Sequence, residues 1–380
     1  MKLIPLLHAL DSYHSQHEED ITVADLANLT LAQHVRDPDY YKEVLQQLEN
    51  ISVSETTTEV LINSLLEAKL LKEISLYAYD LTEGRGDKEK FSELIERFHS
   101  PKVITNEYEF VTDDVEELLH NTYRRPGLRW RLQTLNKMLG SLRGGDFGFI
   151  FARPESGKTT FLASETTYMA SQIPEDGGPC LWLNNEEEDQ KVRLRCIQGS
   201  LGVPLTAINS NPAWAKEEFL RNTNGKHKLV KSNGSISKRM VEELVELYRP
   251  SLVIVDQLDK VTGFQDDRDD LKLGKIYQWK RELGKKYNYA TIAVCQADAS
   301  GENVRWLNMN NVANAKTAKQ AEADWILGIG KIHDNGYENV RFLHLSKNKL
   351  AGDEDTDTSM RHGRAEVLIE PVNARYKDLG

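Results

Sequence analysis

Lys158, flanked by Gly157 and Thr159 in the run DFGFIFARPESGKTT from Asp146 to Thr160, belongs to a set of residues suited to holding phosphate. Main-chain N–H groups of a turn and of the helix that follows it point at an anion. The Lys158 ammonium can reach β- and γ-phosphates, and the Thr159 hydroxyl can ligate Mg²⁺. The pattern G-x-x-x-x-G-K-[ST] is met except at its first position, where Ala152 stands for Gly. Arg153, Pro154, Glu155, Ser156 and Thr160 complete the candidate nucleotide-binding loop. Its flanks agree: Phe147 to Phe151 is an apolar run of strand length, and Thr160 to Gln172 is compatible with helix.

Other residues extend this chemistry. The run LVIVD ends in Asp256, the expected place for a carboxylate on the Mg²⁺ side of a bound nucleotide, whether ATP or another NTP. Gln257 follows where many phosphate-loop enzymes keep a Glu, so the acid that orients the attacking water is expected elsewhere. Glu186 is the candidate, as the first acid after LWLNN; Glu187, Glu188 and Asp189 also suit a helix N-terminus. Gln296 closes the run ATIAVCQ, where an amide can sense a γ-phosphate or simply satisfy a neighbouring main chain. Beyond it, Ala297 to Lys319 reads as a long polar loop whose Arg305, Lys316 and Lys319 are candidates for gripping a DNA backbone, against the plainer reading of a solvated loop. The segment 259–272 is a weaker second loop because of its acidic DDRDD. Lys347 and Lys349, two apart at the close of a strand, point to one side and could reach a neighbouring subunit's γ-phosphate.

These residues need a sheet to position them. From Gly127 onward strands and helices alternate, with strands expected over 147–151, 180–184, 227–230, 252–256, 290–296, 325–329, 340–346 and 365–369. That is a mainly parallel α/β sheet, in which ligands sit at the carboxyl ends of strands. Residues 1–100 show helix starts instead, with Leu61, Leu65, Leu66 and Leu70 at helical spacing, and form a small all-α domain. Residues 101–126 read as a linker, extended from Pro101 to Val111 and then a short helix from Thr112 to Tyr123 with Asp113 and Glu116 at capping-box spacing. The third division is 127–380.

The chain of 380 residues, 39% hydrophobic and 28% charged, has ordinary globular composition and no membrane span, and a cytoplasmic location is expected. Its net charge of −11 argues against a generally basic surface but leaves room for a small basic channel. Cys180, Cys196 and Cys295 give neither a disulfide framework nor a zinc site.

Taken together, GLRWRLQTLNKMLGSLRGGDFGFIFARPESGKTTF, then NNEEEDQKVRLR, VIVDQ, CQ, EADWILGI and SKNK, resemble the motor domain of the replicative DNA helicases of the DnaB family. Ala-Arg-Pro commonly opens the phosphate loop there, and Glu186 and Arg195 keep the family's spacing. The resemblance covers 127–369 at the level of motifs, and the divergent motifs suggest a phage-encoded member. It implies a RecA-like fold and a homo-hexamer with NTP and Mg²⁺ at subunit interfaces. It further implies 5′-to-3′ translocation on single-stranded DNA, a linker helix docked on the next subunit, and a primase, loader or polymerase engaged by the N-terminal domain. One departure stands out. The family's Lys-x-Arg is here Lys347-x-Lys349, a point charge in place of a fork, unless Arg361 or Arg364 takes the part. A RecA- or RadA-like recombination ATPase and a nucleotide-gated loader are the competing readings.

Overall fold

The computed structural model describes residues 4–14, 21–32, 38–49, 55–99, 111, 114–232, 235–266, 268–314 and 316–379. Two compact units result, Met1–Val111 and Thr112–Gly380. The first contains helices Ile4–His14, Val23–Ala32, Pro38–Glu49, Glu55–Thr82 and Lys88–His99. Leu6, Ala9, Leu26, Tyr41 and Leu45 form a small core. Leu70 is half-buried. The side chains of Leu61, Leu65 and Leu66, and the stretch expected to be extended up to Val111, lie outside the described residues.

In the second unit, nine strands among the described residues form one sheet: β1 Phe147–Ala152, β2 Cys180–Asn184, β3 His227–Val230, β4 Leu252–Asp256, β5 Ala290–Gln296, β6 Trp325–Gly330, β7 Val340–Asn348, β8 Arg364–Glu370 and β9 Arg375–Asp378. The order is β3-β2-β4-β5-β1-β6-β7-β8-β9. Strands β3 to β6 in that order run parallel, and β7, β8 and β9 continue antiparallel from β6. The first eight strands match the expected runs within two residues at each end. β9 does not, because RYKD is short and polar.

The inner parallel strands are largely apolar because helices cover both faces, whereas the edge strand β3 carries the exposed Lys228. In β1, Ile150 and Ala152 join the core containing Trp130, Trp182, Trp325 and Phe161, while Phe147, Phe149 and Phe151 join that of Tyr277, Val253 and Val255 on the other face. Period-two alternation thus serves two cores, each large side chain contributing roughly 1.5–3 kcal/mol by burial. The three cysteines are buried and free.

The linker helix differs from its expected form. An α-helix covers only Val115–Leu119 and passes into a π-helical turn at His120–Arg124. Its N-cap is Asp114, whose Oδ1 accepts the N–H groups of Glu116 and Glu117 at 3.0 and 3.3 Å. Asp113 lies outside the described residues.

Candidate nucleotide site

β1 delivers the chain into the turn at 153–157, and the helix Lys158–Ala170 leaves it. Two loop positions are left-handed, Glu155 at φ 59° and Gly157 at φ 96°. Gly157 is required there for space as well, since a Cβ would meet Ile369 Cδ1 at 2.6 Å and the Tyr376 hydroxyl at 2.7 Å. Ala152, by contrast, is a strand residue paired with Gln296 on one side and Ile329 on the other. No special backbone freedom is needed at that point, which is why the loop tolerates Ala in place of Gly.

Pro154, Glu155, Gly157, Lys158, Thr159 and Thr160 line a cleft of about 460 Å³, with Glu186, Glu187 and Arg195 opposite. Three of the residues expected at the nucleotide are placed otherwise. Ala152 is buried in the sheet, and Ser156 is buried beneath the loop. The Arg153 side chain turns away, Nε donating to Glu302 at 2.9 Å and Nη1 to the Ala297 carbonyl at 3.2 Å. These three residues are thus not among those that line the cleft.

Arg341 joins the site without any motif to announce it. It is 5% exposed, and its Nε donates to the Ser156 carbonyl at 2.8 Å while Nη1 donates to the carbonyls of Glu338 and Val340. Burial without a carboxylate partner pulls its pKa below the usual guanidinium range. Arg341, Ile369 and Pro371 close the same cleft. The Tyr376 hydroxyl adds longer contacts to the Ser156 and Gly157 carbonyls at 3.4 and 3.3 Å. Arg341 and Tyr376 together tie down the carbonyls of the loop residues Ser156 and Gly157. An arginine near the start of a strand carries no sequence signal for this role.

The acids divide. Glu186 approaches Gln296, whose Nε2 lies 3.4 Å from its Oε1, and it shares a hydrogen bond with Asp256. Glu187 instead accepts the Thr159 hydroxyl at 2.8 Å and the Arg195 guanidinium at 3.0 and 3.1 Å. Sequence alone singles out Glu186 and leaves Glu187 as a helix-terminal acid; the geometry gives both acids places in the cleft. Asp256 is 1% exposed with Oδ1 buried and unpartnered. Burial, then the neighbouring charge of Glu186, holds its carboxyl well above the ordinary carboxylate range, opposed by Lys158. An orphaned buried carboxylate oxygen beside Glu186 and Lys158 fits a hard divalent cation completed by phosphate and water oxygens. Among the described residues no cluster of three His, Cys, Asp or Glu side chains could hold a metal alone.

The basic candidates fall into three groups. Lys347 donates to the Gln320 carbonyl and is held below the usual lysine range by burial and by Lys349, whereas Lys349 is exposed. Arg361 donates to the Asn348 carbonyl at 3.1 Å, and Arg364 lies over the Trp306 ring. Arg305 is exposed and stacks on Tyr337 and Phe342. Lys316 is bound to Asp298 at 2.6 Å and to the Asn310 carbonyl. Lys319 is a correction: it sits in a helix, Lys316–Glu322, fully buried, with its ammonium 2.5 Å from Asp259 and over the Tyr277 ring. It cannot reach a phosphate backbone from there. The expected long loop is in fact broken by short 3₁₀ turns at Ala299–Gly301 and Met309–Asn311.

Among solved structures, an isolated ATPase domain superposes with a TM-score of 0.58 at 14% identity, over 71% of this chain and 100% of that one. A DnaB-like replicative helicase, described with its interactions with primase, superposes at 0.56 and 11% identity over 100% of this chain and 92% of that one. The RadB recombinase reaches 0.40 at 14% identity, over 67% of this chain and 100% of that one. No curated protein matches the sequence. The first two likenesses establish the RecA-like P-loop ATPase fold. A family model described as an AAA domain, AAA_25, matches residues 113–302, half of the chain, and the protein belongs to that family of nucleotide-binding ATPase domains.

Proposed function

We propose that this protein is a ring-forming, NTP-driven replicative DNA helicase that translocates 5′ to 3′ on single-stranded DNA. The observation that carries the reading is the convergence of Lys158, Thr159, Asp256, Glu186 and Gln296 at the carboxyl ends of β1, β2, β4 and β5. Its likeness over the whole chain to a DnaB-like helicase solved with primase interactions supports the helicase class and a primase-type partner.

In this reading Lys158 and the loop N–H groups hold the β- and γ-phosphates. Thr159 and Asp256 would hold Mg²⁺, which when bound neutralises developing phosphate charge. Glu186 orients water against the γ-phosphate, and Gln296 lies between that acid and the segment after β5, so it can report the loss of the phosphate to Arg305 and Lys316. Lys349, exposed at the end of β7, supplies positive charge to a neighbouring subunit's site in a homo-hexamer.

The test is NTP hydrolysis with and without single-stranded DNA, in wild type and Lys158→Ala, followed by unwinding of forked duplexes bearing a free 5′ or 3′ tail. DNA-stimulated hydrolysis lost in the variant, with unwinding from the 5′ tail, is expected. Hydrolysis indifferent to DNA points instead to a nucleotide-gated loader, and filaments on DNA without unwinding to a recombinase.

A further inference from the structure

At the opposite end of the parallel strands from the nucleotide cleft lies a second cleft of about 350 Å³. Gly144, Ser251 and Asn288, each just ahead of β1, β4 or β5, line it, so a strand length of roughly 20 Å separates the two sites. Its charged lining is Arg125, Arg143 and Arg249, and no acidic residue among the described ones lines it. In a chain of net charge −11 that is a local inversion of sign.

The three guanidiniums are fixed by neutral groups. Arg125 Nη1 donates to Asn288 Oδ1 at 3.0 Å; Arg143 Nε and Nη2 donate to the carbonyls of Arg125 and Tyr123 at 2.8 and 3.1 Å; Arg249 lies 4.7 Å from the centre of the Tyr287 ring. One nearby acid is Asp146, whose Oδ2 takes the main-chain N–H of Arg143 at 2.7 Å and whose charge acts on Arg125 and Arg143. Asp353, Glu354 and Asp355 stand in an adjoining hollow that Arg125 and Arg143 also line, but within this cleft the lining charge is that of the three guanidiniums alone. Forked guanidiniums match the oxygens of phosphate.

We propose that this cleft is a second anion site that takes phosphate groups, those of a nucleic-acid strand or of a free polyphosphate compound. It is separate from the nucleotide cleft and does not depend on how that cleft is read. Because Arg143 also grips the carbonyls at 123 and 125, an anion here fastens the segment that follows the short helix at 115–124.

The experiment compares full-length wild type with Arg125→Gln/Arg249→Gln, and with the charge-keeping Arg125→Lys/Arg249→Lys pair as a control for folding. One arm measures anisotropy of a fluorescein-labelled oligothymidylate across a salt series. The other measures the rise in Tm given by sodium tripolyphosphate in a Lys158→Ala background, which weakens the nucleotide cleft. If the ligand is a strand, the Gln pair binds the oligonucleotide at least about tenfold more weakly and its log–log salt slope is shallower by roughly 1.4, two phosphates at about 0.7 each. If it is a free phosphate compound, only the tripolyphosphate shift disappears. In either case the Lys pair keeps most of the effect. Both arms unchanged in the Gln pair overturns the proposal, as does a variant-sensitive shift given by poly-glutamate and by neither phosphate probe, which reassigns the cleft to an acidic peptide.

Discussion

Arg341→Met tests whether the phosphate loop is held from beneath. The substitution keeps a long side chain and removes the donors that reach the carbonyls of Ser156, Glu338 and Val340 at 2.8, 2.9 and 2.7 Å. Hydrogen bonds from a charged group are worth about 1.5–3 kcal/mol each, but a guanidinium only 5% exposed also carries a desolvation cost of several kcal/mol that the variant relieves. The two nearly cancel in overall stability, so Tm should move by only a few degrees. They do not cancel at the nucleotide. The Ser156 bond orients the loop, and its loss, about 1.5–3 kcal/mol, weakens nucleotide affinity roughly tenfold to a hundredfold. A fluorescent-nucleotide titration with tri- and diphosphate, run beside thermal unfolding, measures both. Arg341→Lys, which keeps the charge but cannot reach three carbonyls in one plane, should fall between. Affinity within twofold of wild type in a folded Met variant would refute the reasoning.

Three further outcomes are expected. Glu186→Gln lowers turnover about a hundredfold or more while nucleotide binding persists, and Glu187→Gln, which loosens Thr159 and Arg195, costs under about tenfold; single-turnover hydrolysis in the reverse order would move the water-orienting role to Glu187. Lys319→Ala strands Asp259 beside a buried void and destabilises by about 3–5 kcal/mol in urea unfolding, without a specific loss of DNA affinity; unchanged stability with weakened DNA binding would restore Lys319 as a DNA contact. Glu165 is fully buried, and burial pushes its carboxyl up to about 7 from 4.5, although the N–H groups of Arg131 and Leu132 oppose the shift. Its folded form therefore holds the proton more tightly, so stability falls as pH rises between about 4.5 and about 7, by roughly 3 kcal/mol, and levels off above. Glu165→Gln should flatten that slope in denaturant melts across the range; an unaltered slope assigns it to other groups.

The inner sheet could be read from the sequence because buried parallel strands are nearly continuous apolar runs, and β2, β4 and β5 fall where CLWLN, LVIVD and ATIAVCQ placed them. Local pattern failed where function depends on distant pairing. Nothing in RYKD announces a strand, yet it carries Tyr376 into the core beside Gly157. Adjacent acids look alike in a string of letters, and only the turn after β2 sends Glu186 toward Asp256 and Glu187 toward Thr159. Lys319 illustrates the opposite error, since a cation in a polar stretch reads as exposed until a half-buried aspartate is found opposite it.

β7 runs from Val340 to Asn348, with a bulge at Ser346 in its pairing to β6. Near one end Arg341 grips the phosphate loop of its own subunit, and just past the other stands the exposed Lys349, some 25 Å further along an extended chain. The strand pairs with β8 over 340–344 and with β6 over 342–348. The residue that anchors the loop and the exposed lysine therefore stand on one strand. In a ring of the kind proposed above, that strand would join each subunit's own cleft to the lysine it offers the next one round.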